Sequence, residues 1–146
     1  MSDCISCDIA DGKAPASFVY RDDITLAFMD ISSLNTGQVV VIPRKHFVYL
    51  ADMDEATGKH FFTTTTRVCQ AIRKSGIPCD GINLFLADGE AANQEIFHVH
   101  FLIIPRLKGD SMKINGEWTN QARQELDELA DKIQQAFQRL NRLRMR

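Results

Sequence analysis

The stretch HVHFLIIPR, residues 98–106, sets two imidazoles two residues apart at the start of a long apolar run. Side chains alternate along a strand, so His98, His100, Leu102 and Ile104 share one face. Phe97, Val99, Phe101 and Ile103 share the other, an unbroken apolar row that belongs on a core, and the histidines therefore face away from it. Such a pair supports two kinds of chemistry. A neutral imidazole is a nucleophile toward phosphorus when a backbone carbonyl holds its Nδ1–H and leaves the Nε2 lone pair free. Two histidines at this spacing can also share one metal ion. The spacing permits both.

The second chemical feature is Cys4-x-x-Cys7, two thiols at a spacing suited to tetrahedral zinc. Two further ligands would have to come from elsewhere, and the chain has four histidines: His46, His60, His98 and His100. The competing readings are a redox pair and two ordinary thiols. A redox motif normally follows a strand and opens a helix, and too few residues stand before Cys4 to make that strand. His60 falls mid-helix and reads as an ordinary surface or half-buried residue. Cys69 falls on an apolar helical stripe and Cys79 in a loop, GIPCDG. Just before the histidine strand comes the polar loop GEAANQE. There Gly89 and the small residues at 91 and 92 allow the backbone close to an anion, and Gln94 adds donors without charge.

These groups need a frame. At 146 residues, 45% hydrophobic and 25% charged, the chain is the size of one domain, 1–146, of ordinary globular composition. A net charge of −2 provides no field favouring nucleic acid or anionic lipid. No run approaches the length of a membrane span, and MSDCISCDIADG lacks the apolar core of a signal peptide. A cytoplasmic, reducing setting is expected, with neither nucleic acid nor membrane as a partner. Strands are predicted at ASFVYRDD and ITLAFMD, joined by a turn at Asp22 and Asp23, then at GQVVVIPRKH, GINLFLAD and IFHVHFLIIP. A helix is predicted from about Asp54 to Ser75, with Ala56, Phe61, Val68, Cys69 and Ile72 inward and Gly76 and Pro78 ending it. A strongly amphipathic helix closes the chain, with Leu126, Leu129, Ile133, Phe137 and Leu140 on one stripe. The basic end RLNRLRMR complements that helix's C-terminus. The order β-β-β-α-β-β-α, with hairpin-length gaps, predicts an α+β fold: an antiparallel five-stranded sheet with its two main helices on one side. Ile9, Phe28, Ile31 and Ile42 could line a base pocket or simply be core.

QEIFHVHFLIIPR resembles the signature strand of the histidine triad (HIT) proteins, nucleotide hydrolases and transferases whose pattern is His-φ-His-φ-His-φ-φ with φ apolar. CISCDIADGKAPASFVYRDD, LAFMDI, GQVVVIPRKHF and ADGEAANQ resemble further family blocks in the same order, most like the bacterial, zinc-bearing branch. The resemblance implies a homodimer, with the sheet extended across it, that binds a nucleoside monophosphate moiety. It makes His100 the nucleophile that forms a nucleotidyl-histidine and His98 the first triad histidine. It places Asp30 at the ribose hydroxyls, and Gly89, Asn93 and Gln94 around the phosphate. It also implies a closed, structural zinc site made of Cys4, Cys7, His46 and His98. Three positions depart from the pattern. Leu102 stands at the third triad position, Gln38 replaces a histidine before the third strand, and Ala87 replaces a polar residue before Asp88-Gly89. A site so altered suits leaving groups that need no proton, or has turned toward nucleotide binding alone. A metallohydrolase with a catalytic zinc on His98, His100 and a cysteine is the remaining reading.

Overall fold

The computed structural model describes residues 3–144, in the order α1 (Ile5–Ala10), β1 (Phe18–Arg21), β2 (Thr25–Met29), β3 (Val39–Pro43), α2 (Glu55–Lys74), β4 (Gly81–Phe85), β5 (Phe101–Arg106) and α3 (Arg123–Arg144). Short 3-10 turns lie at Leu50–Asp52 and Glu90–Ala92. The chain divides into two compact units, one ending at Met112 and the other beginning at Lys113.

The first unit carries a single antiparallel sheet in the order β1-β2-β3-β5-β4. Asp22 makes the β1–β2 turn. Its Oδ1 accepts from the backbone N–H groups of Ile24 and Thr25, 2.8 and 2.7 Å away. In β3, four of five residues are buried, as expected of a central strand with both faces covered. On one face Ala27, Val39, Val41, Val99 and Ile103 pack against Phe61, Val68 and Ile72 of α2. Ile103 is fully buried, and a side chain of that kind contributes about 1.5–3 kcal/mol. On the other face Leu26, Phe28 and Ile42 pack with Ile9 of α1, flanked by Ala10, Ala14 and Ala16. The main helix thus covers one face as expected, and a short helix absent from the sequence reading covers part of the other.

α2 matches its predicted span. Asp54 caps it by accepting from the Thr57 N–H at 2.9 Å, and Gly76 follows its end at φ +85°. Phe61, Val68 and Ile72 are buried, whereas Ala56 is exposed. The four threonines at 63–66 are tolerated because each hydroxyl is bonded. Thr63, Thr65 and Thr66 donate to carbonyls one turn back, and Thr64 meets Thr25 of β2 at 2.9 Å.

The second unit is α3 preceded by residues 113–122, which have no regular structure. No helix among the described residues is long and apolar enough to cross a membrane.

Candidate active site and metal centre

The histidine pair stands at the entrance to β5, which begins only at Phe101. Expected inside the ladder, His98 instead lies in a bend and His100 in irregular chain just before it. The β3–β5 pairing stops at Val41–Phe101, although β3 itself runs on to Pro43. Pro43 closes that strand, and its carbonyl accepts from His98 Nε2–H at 2.8 Å, while Val99 N–H donates to Phe47 O at 2.8 Å. The segment is pinned to the chain leaving β3 rather than to a neighbouring rung. The predicted alternation survives: Val99, Phe101 and Ile103 pack on the α2 side. Phe97 leaves that row and is 44% exposed.

His98 is completely buried. With Nε2–H committed to a carbonyl, its neutral tautomer turns an Nδ1 lone pair toward Cys4 Sγ at 3.5 Å and Cys7 Sγ at 3.6 Å. Burial holds the imidazole pKa below its ordinary value, as do nearby His46 and His100, against the Pro43 bond that raises it. His98 is therefore neutral at physiological pH, the form that binds metal. His46, exposed just after β3, brings its Nδ1 to 3.2 Å from Cys7 Sγ and sets its ring edge-on to that of His98, 5.0 Å between centroids. Cys4 is the N-cap of α1 and Cys7 lies one turn along, so both sulfurs emerge on one side. Apolar residues anchor this segment: Ile9 is buried in the second cluster, and Arg44 donates to Ala10 O at 2.9 Å.

The ligand atoms of Cys4, Cys7, His46 and His98 lie within 4.8 Å of one another, a group able to hold a metal ion. The donor chemistry fits zinc. Tetrahedral Zn–S and Zn–N bonds place sulfur and nitrogen about 3.6 Å apart, near the separations above. Burial, then the adjacent Cys4 thiol, pushes the Cys7 thiol up to about 11, so a divalent cation is what would let Cys7 ionise. His100 is not part of this group.

His100 is half-buried, and its Nδ1–H donates to the His98 carbonyl at 2.8 Å. That bond leaves Nε2 as the lone-pair nitrogen. The same residue that offers Nδ1 to the metal group therefore holds His100 through its carbonyl.

Leu102 pairs with Val40 across β3–β5 and with Phe85 across β4–β5, and Val40 pairs with Phe28, which pairs with Phe18. The third triad position has thus become one member of an apolar row crossing all five strands. Gln38, a diagonal neighbour of Leu102 by this register, is buried and bonded at both ends of its amide. Its Nε2 donates to Asp30 Oδ2 at 2.6 Å, and its Oε1 accepts from Leu34 N–H at 3.0 Å. Asp30 also accepts from Ser32 N–H through Oδ1 at 3.0 Å. Gln38 thus orients Asp30, a task the sequence reading did not assign it.

The loop before the histidines closes on itself. Gly89 has φ +101° and Asn93 a left-handed φ of 62°, with its side chain exposed. Gln94 is buried: its Oε1 accepts from Gly89 N–H at 2.8 Å, and its Nε2 donates to Val48 O and Ile96 O. Its side chain shapes the loop instead of offering a spare donor. Of the apolar base-pocket candidates, Ile9, Phe28 and Ile42 cluster together, whereas Ile31 is fully exposed.

His60 is half-buried, within the expectation, and it is also bonded. Its Nε2 meets Asp22 Oδ2 at 2.7 Å, and Tyr20 donates to the same oxygen at 2.8 Å. No signal in the sequence links positions 38 residues apart on a turn and a helix. Cys79 donates to Gly81 O at 3.2 Å, consistent with a loop thiol.

An α+β subunit with two histidines just before β5, the inner partner of β3, and a cysteine–histidine group able to hold a metal that includes one of them defines the class. Residues 11–109 match the HIT domain, and the chain belongs to the HIT family. It is 39% identical to an uncharacterized HIT-like protein of Borreliella burgdorferi over 75% of this chain and 80% of that one. It is 32% identical to an adenylylsulfatase of Arabidopsis thaliana over 76% of this chain, which spans 56% of that protein. A crystal structure from Streptococcus mutans superposes with TM-score 0.88 at 32% identity, over 94% of this chain and 87% of that one. A zinc-bound histidine triad family protein from Mycobacterium smegmatis superposes with TM-score 0.73 at 36% identity, over 79% of this chain and 83% of that one.

Proposed function

We propose that the protein is a nucleotidyl hydrolase or transferase in which His100 attacks the α-phosphorus of a nucleoside monophosphate ester, anhydride or phosphoramidate. The observation that carries this is the 2.8 Å bond from His100 Nδ1–H to the His98 carbonyl, which fixes the tautomer with Nε2 as nucleophile. The Nε2–P bond forms as the bond from phosphorus to the leaving group breaks, and that electron pair departs with the leaving group. Water or another acceptor then attacks the nucleotidyl-histidine and returns the imidazole. In this reading Asp30, oriented by Gln38, accepts from the ribose hydroxyls, and the loop at Gly89, Asn93 and Gln94 borders the phosphate.

Leu102 offers no proton to a departing oxygen. The site therefore favours leaving groups stable as anions, of the sulfate, acyl-phosphate or polyphosphate kind. The adenylylsulfatase among its relatives supports this preference, since sulfate departs without general acid. Zinc, held by Cys4, Cys7, His46 and His98, would supply a fixed cationic cross-link between α1 and the histidine segment. Four protein ligands leave no open coordination position, so its role is structural. The chain acts in the cytoplasm as a homodimer, with β4 at the sheet edge extending the sheet across the pair.

The test is intact-mass spectrometry after mixing the zinc-loaded protein with adenosine and guanosine 5′-phosphosulfates, phosphoramidates and dinucleoside polyphosphates. The expected result is a nucleotidyl adduct mapped to His100 and turnover fastest with the phosphosulfate. No adduct and no turnover across the panel would sink the enzyme reading. The second reading, nucleotide binding without chemistry, draws on the loss of two imidazoles at Leu102 and Gln38, and predicts saturable nucleotide binding in that same experiment. A zinc metallohydrolase is disfavoured because His100 stands outside the metal group. It would require His100→Ala to lose the metal.

A further inference from the structure

α3 carries a feature that the nucleotide site does not use. Leu126, Leu129, Ile133, Ala136, Leu140 and Leu143 recur at intervals of three and four, a strict heptad seam. Its five large members are exposed: Leu126 37%, Leu129 46%, Ile133 70%, Leu140 59% and Leu143 71%. Over 22 residues the helix is about 33 Å long, so the seam runs its length. A monomeric helix rarely leaves so continuous an apolar stripe open to water.

The charges identify what covers it. From 123 to 131 stand Arg123, Glu125, Asp127, Glu128 and Asp131, one base against four acids, or −3. From 132 to 144 stand Lys132, Arg139, Arg142 and Arg144, four bases and no acid, or +4. A membrane-surface helix carries cations along its polar face, and here the first half is acidic. A parallel pair would set acid on acid and base on base. An antiparallel pair sets each acidic half on a basic one.

We propose that α3 is a self-recognition helix that pairs antiparallel with α3 of a second copy of this chain. The seam supports the register. Centring the pair between Gln134 and Gln135 sets Leu126 opposite the partner's Leu143, Leu129 opposite the partner's Leu140, and Ile133 opposite the partner's Ala136. Each layer joins one a to one d position, and the bulk of Ile133 meets the smallest residue of the seam. The pairing does not rest on the nucleotide reading.

The test mixes two full-length, zinc-loaded variants, Leu126→Cys with isotope label and Leu143→Cys without, under oxidised glutathione. Peptide mass spectrometry maps the disulfides, separating them from any at Cys4, Cys7, Cys69 or Cys79. The expected result is a 126–143 bond between chains at least tenfold above either same-residue bond. Adding Ile133→Asp to both should reduce that bond at least tenfold with zinc content unchanged. Predominance of 126–126 and 143–143 bonds would show parallel pairing and overturn the proposal. So would the absence of any interchain bond in α3, the result expected if the seam docks on its own chain, or crosslinking that survives Ile133→Asp.

Discussion

His98→Ala separates two roles that one side chain combines. The first is metal ligation, shared with His46. The second is packing and hydrogen bonding inside the molecule, which His46 does not share, since His98 is completely buried and donates to Pro43 O while His46 is exposed. Truncation orphans a buried carbonyl, costing about 1–3 kcal/mol. It also empties space at a fully buried position, costing about 2 kcal/mol. Together these come to roughly 3–5 kcal/mol, which at about 3 °C per kcal/mol for a chain of this size lowers Tm by roughly 10–15 °C. The assay is zinc stoichiometry by elemental mass spectrometry, with thermal melts in zinc and in excess chelator. Both His98→Ala and His46→Ala should lose bound zinc. In chelator, His46→Ala should melt within about 3 °C of the wild type, while His98→Ala melts roughly 10–15 °C lower. One tightly held zinc per chain in His98→Ala, or a melt in chelator coincident with the wild type, would refute the reasoning.

Other perturbations address the remaining groups. His100→Ala should keep one zinc per chain and lose at least about 10³-fold of any nucleotidyl transfer, measured by single-turnover kinetics with the substrates named above. Leu102→His with Gln38→His should raise turnover of substrates with basic leaving groups by about 10²–10⁴-fold, the usual effect of general acid, and change phosphosulfate turnover little; the ratio of kcat/KM values reads this out. Asp22→Asn tests the His60 latch. Burial raises the Asp22 pKa, but bonds from Thr25 N–H, His60, Ile24 N–H and Tyr20 outweigh it and hold the carboxyl well below the usual range. A depressed folded pKa gives stability that is present above the unfolded value near 3.9 and lost as pH falls below it. The wild type should therefore lose stability between about pH 4 and 2 more steeply than Asp22→Asn, followed by urea melts across that range.

Much of the frame was legible because the chain's patterns are local. The α2 boundaries followed from Asp54 and Gly76, and the strands from short apolar runs between turns. α1 was not legible, since its six residues, with Cys4 as their cap, carry too short a period to distinguish a helical turn from a loop. The start of β5 was missed for a different reason. Alternation continues through His98 and His100, yet the pairing stops at Val41–Phe101 because Val99 N–H turns to Phe47 O and His98 Nε2–H to Pro43 O, contacts that the alternation of one strand does not reveal. Gln38 looked like a missing histidine, and Gln94 like a free donor. Both are buried amides whose partners come from other parts of the chain.

By itself the sequence determined the types of group available: two histidines at alternate positions, a pair of thiols three positions apart, a third imidazole after an apolar run, and leucine where a proton donor could stand. Those choices are covalent and do not depend on the fold. Tertiary structure decided which nitrogen each imidazole presents, because a tautomer is set by the carbonyl it meets. Pro43 O takes the Nε2–H of His98 and turns its Nδ1 toward the thiols, while His98 O takes the Nδ1–H of His100 and leaves its Nε2 free. The first contact spans 55 residues of chain, and folding alone brings its partners together.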